Sequence, residues 1–249
     1  MNQILVTEKL YITPDMKKKR KGYKVLFGLC AFFICVLFSY YIYAEYDKNK
    51  SEQVSKQLLA NMQEDTTISK EKNSVIVVAL GDNRGLTDEE EIIQEKTVDE
   101  ILKERKSEKI VWRTASNGEQ YYVLGTIKIP KIDVDYPILS DCTETLLKIS
   151  PGKFWGPDPN EVGNLCIAGH NYLNSKFFSK VPTLENGDII EITDLLDNTI
   201  KYEVYDKYMV DNENTDCTDQ ETRGKREVTL ITCNNDSSKR VIVKCREVK

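Results

Sequence analysis

The stretch Val123-Leu124-Gly125-Thr126-Ile127-Lys128-Ile129-Pro130-Lys131-Ile132-Asp133-Val134-Asp135-Tyr136-Pro137-Ile138 decides the fold class. Val123, Gly125, Ile127 and Ile129 alternate with more polar neighbours, and beyond Pro130 the residues Ile132, Val134, Tyr136 and Ile138 do the same. A period of two sends alternate side chains to opposite faces, which predicts half-buried strands. Pro130 lacks the N–H that a ladder needs, so it marks a strand end or a bulge between the two runs. Further out, residues 165–169, 188–193, 199–204, 227–232 and 240–248 read as strands, with Asp197-Asn198 as turn chemistry between the second and third of these. Residues 143–149 and 174–180 read as short helices. Many short strands with few helices predict a mainly β fold, a closed or nearly closed β-barrel, over residues 120–249.

Before it, residues 45–119 read as a partly helical stem. Val54, Leu58 and Met62 recur at a spacing of four, a narrow apolar stripe on a polar helix. Residues 65–73 are mostly polar and read as a flexible break, and 75–80 form a short apolar run, either strand or buried segment. Thr87 and Glu90 make a Thr-x-x-Glu capping pattern ahead of a charged helix to about Lys106, with Ile93, Val98, Ile101 and Leu102 as a modest face packing on the β domain.

At the start, Lys17, Lys18, Lys19, Arg20, Lys21 and Lys24 precede a charge-free stretch over 25–44. As a helix that stretch is about 30 Å long, the thickness of a bilayer's hydrocarbon core. Tyr40, Tyr41 and Tyr43 stand where a cleavable signal peptide would carry small residues, so the segment reads as an uncleaved transmembrane helix. The positive-inside rule then places 1–24 in the cytoplasm and everything after Glu45 outside.

The 249 residues carry a net charge of −5 and no broad basic field, which argues against a nucleic-acid partner. Of the seven cysteines, Cys30 and Cys35 lie in the apolar span; Cys142, Cys166, Cys217, Cys233 and Cys245 follow it. An odd number outside leaves at least one free thiol in a monomer, and spacing alone does not decide whether the others are bridged. Cys142 and Cys217, in polar surroundings, are the better candidates for a bridge or for exposed thiols. Cys166 shares a strand face with Ala168 and His170, so it either approaches a site there or packs beside it. A single histidine makes a zinc site improbable.

That histidine, His170, follows Ile167-Ala168-Gly169 and precedes Asn171. Downstream, Thr229-Leu230-Ile231-Thr232 ends in Cys233, and Arg240 comes within the next few residues. A thiol, an imidazole and a guanidinium suffice for acyl transfer: the thiol attacks a carbonyl, the imidazole moves protons, and the cation meets developing negative charge. If the strands flanking the polar loop 234–239 pair as a hairpin, Cys233 and Arg240 face each other across its mouth. Thr232, Asn171 and Ala168 are the accompanying candidates for substrate or oxyanion contacts. Taken singly, Cys233 reads more readily as a core thiol, His170 as a structural histidine and Arg240 as an edge charge; only their combination favours catalysis.

Together these elements resemble a sortase. The likeness is carried by Thr229-Leu230-Ile231-Thr232-Cys233, Gly169-His170-Asn171, the Arg after the Cys, and Gly125-Thr126-Ile127-Lys128-Ile129-Pro130, and it runs over roughly half the chain from Tyr122. The resemblance implies a membrane-anchored cysteine transpeptidase of a Gram-positive cell surface, with a sortase-type barrel and His170, Cys233 and Arg240 as catalytic residues. It implies a Leu-Pro-x-Thr-Gly-like sorting signal on secreted proteins as acyl donor, and an amine of the peptidoglycan precursor as acceptor. The short interval from His170 to Cys233 leaves no room for the class B insertion. No second apolar span and no Asp-Pro-aromatic lid suggest class C, so classes A and D remain. No cofactor is required; some class A relatives bind calcium, and Asp158, Glu161 and Asp216 are acidic residues without a convincing ligand spacing. Two rival readings are an anchored cysteine peptidase that mainly hydrolyses, and a non-catalytic anchored peptide-binding protein.

Overall fold

The computed structural model describes residues 14–72 and 98–248. The chain divides into two compact units, Met1–Asn49 and Lys50–Lys249. Helix α1, Pro14–Lys72, belongs to both. In the first unit the apolar side chains of the helix, Phe27, Leu37 and Phe38 among them, are exposed. By length and composition this part of α1 is able to cross a membrane.

The second unit is the β-barrel. After α2, Val98–Glu108, a small antiparallel pair joins β1, Arg113–Thr114, to β2, Gln120–Tyr121. Next come β3, Val123–Ile129, β4, Val134–Leu139, and the one-turn helix α3, Glu144–Leu147, which Thr143 caps by accepting from Leu146 N. The remaining strands are β5, Gly152–Trp155, β6, Gly163–Ala168, β7, Ile189–Asp194, β8, Thr199–Asp211, β9, Arg226–Cys233, and β10, Lys239–Glu247. They close in the order β10-β8-β7-β3-β4-β5-β6-β9, with β9 pairing back onto β10. Most neighbours are antiparallel, but β4–β5 and β6–β9 are parallel.

The alternation that predicts the strands is the one the barrel uses. Ile127, Ile129, Tyr136, Ile138, Leu165 and Ile167 are buried in one core cluster, joined by Ile190, Ile192, Leu230 and Val243. Each fully buried aliphatic side chain contributes about 1.5–3 kcal/mol, which fixes register, because a slip of one residue would turn the buried set to water. Pro130 begins a 3-10 turn, Pro130–Ile132, that ends on Asp133 in the left-handed region at φ 57°. The second apolar run therefore starts at Val134 rather than Ile132.

Several expectations shift. Residues 174–180 are not a helix: Phe177, at φ 48°, bridges to Asn171 and is buried against Tyr136. Strand β8 runs on to Asp211 because β10 pairs along its polar half. The polar stretch after Met62 is no break as far as Lys72, where α1 ends, since each added residue of an established helix gains a hydrogen bond without a new nucleation cost. The apolar run 75–80 and the capping pattern at Thr87 and Glu90, with Ile93, lie outside the described residues. Helix α2 is held to the barrel unit by Lys106 on Glu161 at 2.6 Å, and Lys109 just beyond it by Asp197 at 2.9 Å. The stripe on α1 does pack: Leu58 is buried with Tyr121, Val123, Leu139 and Leu146, and Val54 and Met62 flank it.

Candidate active site

Barrel topology brings three separate segments to one rim. Strands β6 and β9 are parallel neighbours with Ala168 opposite Ile231, and Gly169 N donates to Ile231 O at 3.0 Å. Two residues further along that register stand His170 and Cys233. Strand β10 returns antiparallel, with Arg240 the partner of Cys233. The loop between them is closed by Asn234 N donating to Lys239 O at 2.9 Å. Across the mouth of this hairpin Arg240 Nη1 lies 2.6 Å from Cys233 Sγ.

His170, Cys233 and Arg240 line one cleft of about 330 Å3, with Leu147, Phe154 and Ile231 among its apolar walls. A larger hollow of about 620 Å3 lies beside Trp155 and Pro157. Chemistry rather than size selects the smaller one, since only it joins a thiol, an imidazole and a guanidinium.

The histidine is held by its backbone neighbours. Gly169 has no room for a side chain: a Cβ there would meet the Phe178 ring at 2.6 Å. Phe178 N donates to His170 O at 3.1 Å, and the Tyr172 ring lies 5.0 Å from the imidazole, centroid to centroid. Burial pushes the His170 pKa below its usual 6.5; Lys148 and Arg240 push the same way, and Glu144 opposes them. The native protein thus resists protonation of His170 more than the unfolded chain does. Between the depressed pKa and 6.5 the unfolded state binds more protons, so this contribution to stability is complete above pH 6.5 and is lost as pH falls toward the folded value. Because His170 is the only histidine, one imidazole NMR resonance reports it without assignment. A titration midpoint below 6.5 is expected; one at or above it would contradict this account.

Other predicted residues have different parts. Asn171 Nδ2 donates to Cys233 O at 2.9 Å, tying the segment after His170 to the nucleophile's backbone. Thr232 lines the cleft, but its hydroxyl, almost wholly buried, donates to Gly169 O at 2.8 Å. In this structure that bond joins β9 to the end of β6. Ala168 is a small wall residue. Cys166 does not reach the cleft; it is fully buried, with Sγ near Asn164 O and Cys217 O.

All seven cysteines are free. Sequence reasoning missed that Cys142 and Cys217 line the cleft. Neither is the exposed thiol that its polar neighbours suggest: Cys217 is buried and Cys142 half-buried. Burial, and secondarily Asp141, pushes the Cys142 thiol up to about 11, which leaves it protonated near neutrality. Asn212, Asn214 and Thr215, from the segment after β8, also reach the cleft with no local signal in the sequence. The acidic residues considered for calcium do not gather into a ligand set: Asp158 pairs with Lys153, Glu161 with Lys106, and Asp216 accepts from Asn214. Among the described residues no group of three or more His, Cys, Asp or Glu is placed to hold a metal ion.

Comparison with known proteins bears on the family. The Sortase domain family profile matches residues 127–248. Sortase A of Bacillus anthracis is 34% identical over 128 residues, covering 49% of this chain and 58% of that protein. A Sortase D5 transpeptidase of Clostridium perfringens, of known structure, is 32% identical, with 51% of this chain and 79% of that one covered and a TM-score of 0.47. The chain belongs to the sortase family. Sortase A of Listeria monocytogenes is a further relative, 27% identical over 135 residues and covering 53% of this chain. The sortase chain described here spans about six tenths of the length of these two curated relatives, 58% and 60%.

Proposed function

We propose that this sortase is a membrane-anchored cysteine transpeptidase acting on surface proteins, with Cys233 as nucleophile, His170 as proton carrier and Arg240 as charge stabiliser. The observation that carries the reading is the register pair Cys233–Arg240 with guanidinium on sulfur, in the cleft that His170 lines. In the first stage His170 takes the thiol proton as the Cys233 sulfur attacks a backbone carbonyl carbon of a bound sorting peptide. The tetrahedral intermediate collapses with cleavage of the C–N bond, leaving a thioester, and His170 gives a proton to the departing amine. In the second stage an acceptor amine attacks the thioester, His170 takes its proton, and the Cys233 sulfur leaves as a new amide forms.

Arg240 faces the sulfur in both stages, and its forked donors suit a peptide carbonyl as well. Backbone N–H groups at the strand ends are the remaining oxyanion donors. The likeness to class A and class D relatives favours a Leu-Pro-x-Thr-Gly-like donor cut between Thr and Gly, and a peptidoglycan-precursor amine as acceptor. The apolar part of α1 spans the membrane, with the lysine-rich start inside and the barrel outside.

The test is intact-mass spectrometry of the full chain in detergent, incubated with sorting-like pentapeptides with and without an amine acceptor. An acyl adduct mapped to Cys233 that turns over into amide product bears the proposal out. Free acid as the sole product, even with amine present, replaces it with a peptidase. No adduct with any peptide leaves a binding protein.

A further inference from the structure

Residues 171–180, which follow His170, are an irregular segment that its own backbone does not favour. Leu173 and Phe177 both sit in the left-handed region, at φ 55° and 48°. For residues with bulky side chains that conformation costs about 1–2 kcal/mol each, so contacts must hold the shape. Some lie inside the segment, the Asn171–Phe177 bridge and Tyr172 N on Ser179 Oγ among them. Three consecutive residues tie it to groups outside, each to a different partner. Lys176 Nζ lies 3.0 Å from Glu52 Oε2 on α1. Phe177 N donates to Tyr136 Oη of β4 at 3.2 Å, with the two rings stacked 5.0 Å apart. Phe178 N donates to His170 O.

The first of these attachments comes from a helix that is itself seated on the barrel unit. Ser55, fully buried, donates to Ser150 Oγ at 3.1 Å, and Ser150 passes the bond to Pro137 O at 2.6 Å. One turn further, Leu58 fills the cluster of Tyr121, Leu139 and Leu146. The Glu52–Lys176 pair is not an ordinary surface pair, because the side chains are only 21% and 13% exposed. Deleting either partner breaks this link between α1 and the histidine's segment. Lys56, four residues from Glu52, also holds that carboxylate, at 2.9 Å, and keeps it aimed.

We propose that the Glu52–Lys176 pair makes the barrel-docked part of α1 a positioning element for His170. This rests on the reading of His170 as the proton carrier. The helix would act through Lys176 and the adjoining Phe177 and Phe178 on the ring that must reach both the leaving and the attacking amine. The other groups facing that ring are Lys148 and Glu144 around α3, Arg240 of β10, and Tyr172.

The experiment uses the full chain in detergent micelles with 13C-labelled histidine, where His170 gives the single imidazole signal. Glu52→Gln and Lys176→Met are each expected to shift or broaden that signal. They should also lower kcat about tenfold with KM within about twofold, because a small displacement of an acid–base group acts on the chemical step. The conservative variant Lys176→Arg, which keeps the charge facing Glu52 and leaves Lys56 its partner, should return the signal and bring kcat to within about threefold of the starting chain, a recovery that a loss of packing alone would not show. Unchanged signal and kcat in both Glu52→Gln and Lys176→Met overturn the proposal. So does a Lys176→Arg variant that recovers neither. If the unaltered chain turns over no peptide, the functional reading fails, yet the histidine signal still decides whether Glu52 and Lys176 position the ring.

Discussion

Replacing Cys233 with alanine is expected to abolish the acyl adduct and to lower peptide turnover by about a thousandfold or more, while the barrel stays folded. The chemistry has no other ready nucleophile. Of the three thiols lining the cleft, Cys217 is buried and Cys142 is pushed up to about 11 by burial and Asp141. Only Cys233 has a guanidinium against its sulfur. The fold loses little, since Cys233 contributes to the barrel through its backbone: its carbonyl accepts from Asn171, and its ladder position faces Arg240. Alanine keeps both. Val228 and Leu230, which anchor β9 in the core, are untouched. Intact-mass spectrometry and steady-state turnover on the full chain check this, with circular dichroism as the folding control. Turnover retained in Cys233→Ala would sink the assignment and point to Cys142, which the corresponding Cys142→Ala variant would then test.

The strands were legible wherever one face is buried and the other wet. Ile127 and Ile129, or Ile190 and Ile192, show the period of two because water and core select residues differently on alternate sides. Arg240 opposite Cys233 was legible for a local reason, two strands joined by a short polar loop. What places His170 beside them is the parallel pairing of β6 with β9, a contact between segments far apart in sequence. No periodicity encodes such a partner. The motif Gly169-His170-Asn171 was therefore identified by its likeness to a family, and its neighbourhood only by the barrel.

The remaining misses have related causes. The outer half of β8 carries Tyr208, Met209 and Val210 among charged residues and is largely exposed, so β10 rather than a buried face holds it straight. The residues at 174–180 look compatible with a helix, but burying Phe177 between Tyr136 and Tyr172 demands a left-handed backbone there. Polar neighbours in sequence suggested that Cys142 and Cys217 face water. The cleft wall is built from loops that fold back on the rim, and burial there follows tertiary contacts rather than adjacent residues.

Arg240→Ala is the second substitution with a large expected effect, a loss of about 100- to 1,000-fold in kcat/KM, comparable to deleting a donor from an oxyanion hole. Its Nη1 touches the nucleophile's sulfur, and the planar fork leaves further N–H donors for a carbonyl oxygen of bound peptide. Alanine removes all of them, yet leaves the backbone pairing of this residue with Cys233 on one side and Val210 on the other. Lysine keeps one charge but not the fork, so Arg240→Lys should recover no more than about tenfold of the loss. Separating kcat from KM shows which job matters more. A fall in kcat at constant KM means that the cation acts on charge developing in the transition state, whereas a rise in KM alone means that it clamps the peptide equally before and during reaction. If both variants retain kcat/KM within about threefold, Arg240 is only an edge-strand cation, and Cys233 must be served by His170 and backbone N–H groups alone.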